Sequence, residues 1–338
     1  MRIAMVSEHA SPLVAPGGRE AGRQGQTPRI VHAHFWMSGM ASRAACQEVG
    51  IPLVPTFHAL GSGKRRHQGE EDPSPAIRIA AERTLLAQAD AVIATCTDEV
   101  RELDALGGRA ARISVIPCGV DLRTFTPDGP AVPRSSYRHR LVCLGRLVAR
   151  KGVDTVIAAL RRLPDAELLV AGGPPPSQLI HDPAARRLWA TAERHGVADR
   201  VHLLGRLDRP RIPRVIRSAD VLVSVPVYEP FGIVPVEAMA CGGPVVVSAV
   251  GGMLDTVQDG VNGLKVPPDD AAATAGAVRS LPSDPERRAR MGAAARAARR
   301  YSWSAIAART LAVYDALLAP DRFRQDAIAY AGPGRAAG

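Results

Sequence analysis

Tyr228-Glu229-Pro230-Phe231-Gly232-Ile233-Val234-Pro235-Val236-Glu237-Ala238-Met239-Ala240-Cys241-Gly242 sets two carboxylates eight residues apart, with a glycine between them. The apolar run 221–227 that leads into it reads as a strand, and 236–241 reads as the helix that follows. A helix starting here leaves the N–H groups of Gly232, Ile233 and Val234 without intrahelical partners, at the positive end of the helix dipole. Pro235 suits the first turn, where its missing N–H is not needed, and Gly242-Gly243-Pro244 closes the helix. Backbone donors flanked by Glu229 and Glu237 suit an anion that also carries hydroxyl groups, such as a sugar diphosphate.

Outward from this stretch, the second half alternates strand-like and helical segments. Strands are expected at 140–144, 167–171, 201–204, 221–225, 245–248 and 264–266, with helices at 153–163, 183–195, 209–218 and 236–241. Short apolar strands separated by helices predict a parallel, doubly wound sheet, which binds ligands at the carboxyl ends of its strands. Gly145-Arg146, Gly172-Gly173, Gly205-Arg206 and Glu229 all fall at that edge. The first half has strands at 2–7, 30–34, 52–56, 91–95 and 113–116, and helices at 38–49, 77–86 and 97–106. Gly251-Gly252 and Asn262-Gly263 read as turn formers.

At 338 residues the chain has room for two domains. No apolar run reaches the ~18 residues of a membrane span, and the start 1–7 reads as a strand rather than a signal peptide. Five scattered cysteines (46, 96, 118, 143 and 241) read as small core residues of a reducing, cytoplasmic protein. The formal charge of +10 comes from 40 Arg and only 3 Lys, a bias that writes arginine wherever a cation serves. Few aromatics accompany these cations, so nucleic acid is not an expected partner. The three lysines, Lys64, Lys151 and Lys265, stand out against that bias.

The two-glutamate stretch resembles the signature of the retaining nucleotide-sugar glycosyltransferases of family 4, with GT-B architecture. That resemblance implies two Rossmann-like, doubly wound parallel-sheet domains facing a cleft. It implies that Glu229 binds the donor sugar's hydroxyls beside the anomeric centre and that Glu237 grips the ribose. Arg146 and Lys151, in Gly145-Arg146-Leu147 and Arg150-Lys151-Gly152, match the positions that contact the diphosphate, and Arg206 approaches the base by analogy. Cations and helix N-termini can stabilise a leaving diphosphate without a metal, and no ligand cluster with metal spacing is seen, so neither metal nor cofactor is expected. On the acceptor side, His34 and His58 end strands and match family histidines near the reacting centre. Lys64, Arg65 and Arg78, the first two in a basic loop 64–67, are candidates to hold an acceptor phosphate.

Within the family, the chain is similar to the mycothiol-pathway inositol-phosphate enzymes and, from His58 to Lys64, to sucrose-phosphate-synthase-like ones. It carries Phe35 where the first group has a tyrosine and Ala59 where that group has threonine. Gly17-Gly18 resembles the glycine-rich, donor-binding loop that opens the first helix, yet after Gln24 the chain passes straight to the next strand. A complete domain would hold about 60 more residues there, at ~30 per βα unit. The expected domains are therefore 1–125, shortened after Gln24, and 126–302, with 303–338 supplying a helix that returns to the first domain and a loose tail. Shortening leaves the first strand at a sheet edge, and with the basic charge this suggests weak self-association or membrane-surface contact beside the small-molecule donor and acceptor. The alternative function is nucleotide-sugar binding with little transfer. A Rossmann oxidoreductase is disfavoured because no Gly-x-Gly-x-x-Gly follows the first strand.

Overall fold

The apolar runs become parallel strands in two units. The computed structural model describes residues 1–7, 27–69, 72–281, 286, 291 and 299–319. Met1–Pro117 and the chain from Ile306 form one unit, and Cys118–Ala305 forms the other.

In the first unit, β1 (Ile3–Ser7), β2 (Ile30–His34) and β3 (Leu53–Thr56) pair in that order, all parallel. A separate parallel pair joins β4 (Val92–Ala94) to β5 (Ile113–Val115). Around them lie α1 (Trp36–Val49), α2 (Gly61–Gln68), α3 (Arg78–Gln88) and α4 (Thr97–Ala105). Among the described residues β1 has β2 as its one ladder partner, and Met5 is 59% exposed. Gly17, Gly18 and the passage after Gln24 lie outside the described residues.

The stretch 64–67, read as a basic loop, belongs to helix α2 instead. The sequence Gly-Ser-Gly-Lys-Arg-Arg-His-Gln is a poor helix former. Its first N–H, on Gly61, donates to both carboxylate oxygens of Glu82 at 3.1 and 2.9 Å. Arg65 and Arg66 sit in the last turn, where the helix dipole favours cations. A side chain at Gly63 would come within 2.6 Å of the Glu102 carboxylate, so the helix rests directly on that group.

The second unit is built on β6 (His139–Leu144), β7 (Ala166–Ala171), β8 (Val201–Gly205), β9 (Val221–Ser224), β10 (Val245–Ser248) and β11 (Leu264–Val266). Their order is β11-β10-β9-β6-β7-β8, and every pairing is parallel. Neighbouring residues alternate between two cores: Leu141 and Cys143 face one, Val142 the other. A sheet apolar on both faces needs helices on both, and α5 (Val153–Leu160), α6 (Pro183–Arg194), α7 (Ile212–Ser218), α8 (Ile233–Ala240), α9 (Met253–Thr256) and α10 (Ala271–Ser280) supply them. The chain winds outward from β6 through β7 to β8, then restarts at β9 on the other side of β6. Between β6 and β9 lies the topological switch point, where the loops after the two strands part and open a crevice. Helix α11 (Trp303–Leu318) follows, and its Ile306 and Tyr314 pack with Ile30, Val54 and Ile93 of the first unit.

Among the described residues no helix is long and apolar enough to cross a membrane. None of the five cysteines forms a disulfide, and four of them are buried.

Candidate functional site

The loop after β6 carries Lys151 and the loop after β9 carries Glu229, so both stand at the switch point. Their side chains meet: Lys151 Nζ donates to Glu229 Oε2, with side-chain exposures of 22% and 16%. The pairing follows from the sheet order rather than from chain proximity, since 78 residues separate the two.

The backbone around Glu229 is held from both sides. Val227 N donates to Arg150 O at 3.0 Å, Arg150 Nη1 to Tyr228 O at 3.3 Å, and Gly252 N to Glu229 O at 3.2 Å. Gly152, at φ 70°, and Gly251, at φ 48°, close the clamp. A Cβ at Gly152 would lie 2.0 Å from Val225 O, and one at Gly251 would lie 2.0 Å from Glu229 O. Gly251 therefore does more than form a turn: it lets one loop touch the backbone of the glutamate itself. Gly251→Ala is expected to cost about 2–4 kcal/mol through overpacking and left-handed strain. Thermal melting should show it; a variant with wild-type Tm would mean that the loop yields freely.

Helix α8 begins at Ile233, three residues earlier than the sequence reading, with Gly232 as its N-cap at φ 81° and no side chain capping it. The N–H groups of this first turn lie at the positive end of the helix, two residues beyond the Glu229-Pro230 step. Glu237 lies one turn on and is half-buried. Burial raises its carboxyl to about 7, against the opposing charge of Arg209. No described residue hydrogen-bonds or ion-pairs with that carboxyl, so it retains acceptor capacity for a ligand. Arg209, stacked 5.4 Å over the Phe125 ring, is a cation that the sequence reading passed over. Arg206, the residue singled out instead, is exposed after β8, its N–H held by Pro174 O at 2.8 Å.

Arg146 is exposed at the end of β6 and makes no hydrogen bond or ion pair among the described residues. Its charge acts on Arg150, whose guanidinium is pushed below its usual value by burial first and by Arg146 second. Arg146, Arg150 and Lys151 thus concentrate positive charge beside α8's N-terminus.

In the first unit, β2 and β3 end side by side and bring the two predicted histidines together. His34 Nδ1 and His58 Nε2 are 2.8 Å apart, and their rings stack at 5.1 Å. Phe35 lies 4.7 Å from the His58 ring, and both residues adopt positive φ (68° and 62°), which a non-glycine residue holds only under constraint. Burial lowers the His34 imidazole below its usual value, favouring the neutral form.

Lys64 and Arg65 stand on α2, the first half-buried and the second exposed. Arg78 has a different place from the one expected. It is buried, ion-pairs with Glu82 at 2.7 Å, and donates to Ser74 Oγ at 3.0 Å and to the Ala59 carbonyl. Its guanidinium fixes the strand-end loop before α2 rather than standing open to a ligand. Among the described residues no group of three or more histidine, cysteine or acidic side chains is placed to hold a metal.

Comparison with known proteins identifies the family. Residues 132–298 match the family described as Glycosyl transferases group 1, and residues 6–119 match the Glycosyl transferase 4-like domain. The D-inositol 3-phosphate glycosyltransferase of Xylanimonas cellulosilytica is 40% identical over 301 residues, covering 84% of this chain and 71% of that protein. Its counterpart from Mycolicibacterium vanbaalenii is 38% identical over 310 residues, covering 87% and 68%. The solved structure of sucrose-phosphate synthase from Thermosynechococcus elongatus superposes with a TM-score of 0.78 at 31% identity, over 90% of this chain and 77% of the other. Anabaena HepE, solved with UDP and glucose, gives 0.70 at 23% identity over 91% and 81%, a likeness of fold. The chain belongs to the group 1 glycosyltransferases and has their GT-B fold.

Proposed function

We propose that the chain moves a hexosyl group from a UDP- or GDP-type sugar to an acceptor hydroxyl, with retention of configuration and without a metal. The observation that carries this reading is the Lys151–Glu229 pair at the switch point, beside the uncapped start of α8. Arg146, Lys151 and the α8 N–H groups suit a diphosphate, and Glu237 suits ribose hydroxyls. Glu229 suits the sugar, with Lys151 holding its carboxylate in place. In a front-face substitution, the bond from the anomeric carbon to the diphosphate breaks while the acceptor oxygen bonds on the same face. The departing phosphate takes the acceptor's proton. The cations then neutralise charge developing on the diphosphate, the part a metal plays elsewhere. His34, His58 and Phe35 form the acceptor side, where Arg65 remains an exposed cation and Arg78 acts on the loop.

The test is a panel of nucleotide sugars by calorimetry, then acceptor screening with the tightest donor and assignment of the product's anomer by NMR. Inverted product, or none with any bound donor, would refute the reading. A second reading, donor binding with weak transfer, is favoured by the exposure of Met5 and by β1 having, among the described residues, β2 as its single ladder partner. Binding without product would select it.

Nucleotide affinity is expected to depend on pH through Glu237. Burial favours its neutral form, with the carboxyl raised to about 7, whereas ribose hydroxyls donate to the carboxylate. Binding therefore expels a proton, and affinity falls as pH drops below 7, by up to about tenfold per unit. The sign for stability is the reverse. The raised carboxyl favours the unliganded fold in acid, and that contribution is lost as pH rises through about 7. Phosphate ionisation runs parallel to the affinity effect, so the measure is the difference between wild type and Glu237→Gln. Identical pH profiles would remove Glu237 from the nucleotide site.

A further inference from the structure

The face of the first sheet that carries Ile30 also carries His32, two residues on, and helix α11 covers it through Ile306 and Tyr314. His32 is 4% exposed and is gripped at both ring nitrogens. Nδ1 lies 2.5 Å from the Tyr314 hydroxyl and Nε2 lies 2.8 Å from Thr56 Oγ1. The His32 ring stacks on His34 with centroids 4.4 Å apart, and His34 in turn meets His58. A residue on the C-terminal helix is thereby joined to a strand-end pair that lies far away in the sequence.

The protons in this chain of contacts can be placed. Burial lowers His32 to about 3, so its ring is neutral, and burial raises the Tyr314 phenol to about 12, so it keeps its proton. Of the two acceptors near that hydroxyl, the imidazole nitrogen at 2.5 Å is stronger than the Met5 thioether at 3.9 Å. Tyr314 O–H therefore donates to Nδ1, and His32 carries its own proton on Nε2, which donates to Thr56 Oγ1. Bound at both edges, the ring cannot turn, and it presents one fixed face to His34.

We propose that Tyr314 is a positioning residue for the His34–His58 pair, acting through His32. The acceptor role of that pair rests on the function proposed above; the coupling itself does not. Tyr314→Phe deletes one oxygen without changing the helix's apolar contacts, and Thr56→Val deletes the other anchor. Ile306→Val loosens the same helix face without touching the hydrogen bonds.

The experiment is NMR on the full chain with labelled histidines, reading ring tautomers and titration of His34 and His58. Tyr314→Phe and Thr56→Val are each expected to shift the pair's tautomer populations and move its titration midpoint by about half a unit or more. Ile306→Val should leave both unchanged. Turnover should fall about tenfold in Tyr314→Phe, with donor affinity within about twofold of wild type. Unchanged His34 and His58 signals in both hydroxyl variants would overturn the proposal, as would an equal shift in Ile306→Val. If Tyr314→Phe fails to fold, Thr56→Val decides alone. Absence of transfer by wild-type protein would count against the proposed function, and the NMR comparison would still decide the coupling.

Discussion

Glu229→Gln is expected to lower kcat by about a hundredfold while leaving nucleotide affinity within about twofold, since a hydrogen bond to a charged group contributes roughly 1.5–3 kcal/mol. The carboxylate is assigned to sugar hydroxyls beside a carbon that becomes positive as the leaving group departs. Its interaction therefore strengthens towards the transition state and acts on kcat more than on binding. The amide keeps the shape but not the charge, and it ends the ion pair with Lys151. That pair is partly solvated, so its loss should change stability by only about 1 kcal/mol or less. Steady-state kinetics and a melting curve separate the two effects. Unchanged turnover with any accepted donor would remove Glu229 from the reaction.

Lys151→Arg should fail to restore function even though it conserves charge in a chain that otherwise prefers arginine. The lysine side chain passes close over Gly145, its Cδ 4.0 Å from where a Cβ there would stand, and its ammonium ends on Glu229. A compact ammonium has three donors and can hold Glu229 and a phosphate oxygen at one point. A planar guanidinium is longer, directs its donors in a fixed plane and would displace one partner. A loss of about tenfold or more in kcat/KM is expected, with Tm close to wild type. Wild-type kinetics would reduce Lys151 to a surface cation.

The sheet of the second unit was legible because its strands are buried on both faces. Residues such as 245–248, all apolar or small between glycine-rich turns, read as a parallel strand, and the structure places β10 at Val245–Ser248. The edge carrying Glu229 and Arg146 followed from that alternation, and Lys151 from the family resemblance. Helix α10 was missed although a signal was present: Asp270 caps it by accepting from Ala273 N at 2.8 Å, and an aspartate before an alanine run is a recognisable start. Helix α2 had no such local signal, because its capping carboxylate, Glu82, comes from 21 residues away.

Side-chain contacts were not legible where tertiary partners decide. Arg78 matched a ligand-binding position, yet Glu82 lies one helical turn away and claims its guanidinium. Gly251 looked like a turn because nothing in its neighbours shows that Glu229 O will lie against it. The link from His32 to Tyr314 spans 282 residues and depends on where helix α11 packs. His34 and His58 were both singled out, and what the sequence did not show was that they touch.

The central claim is that a nucleotide diphosphate binds the edge formed by Arg146, Lys151, α8 and Glu237 without a metal. Calorimetric titration of UDP and GDP in excess chelator tests it most directly, on wild type and on Lys151→Ala and Glu237→Ala. The account predicts that one of the two nucleotides binds wild type in chelator and that each substitution weakens it by about tenfold or more. Binding lost on chelation, or full-strength binding in both variants, would contradict it.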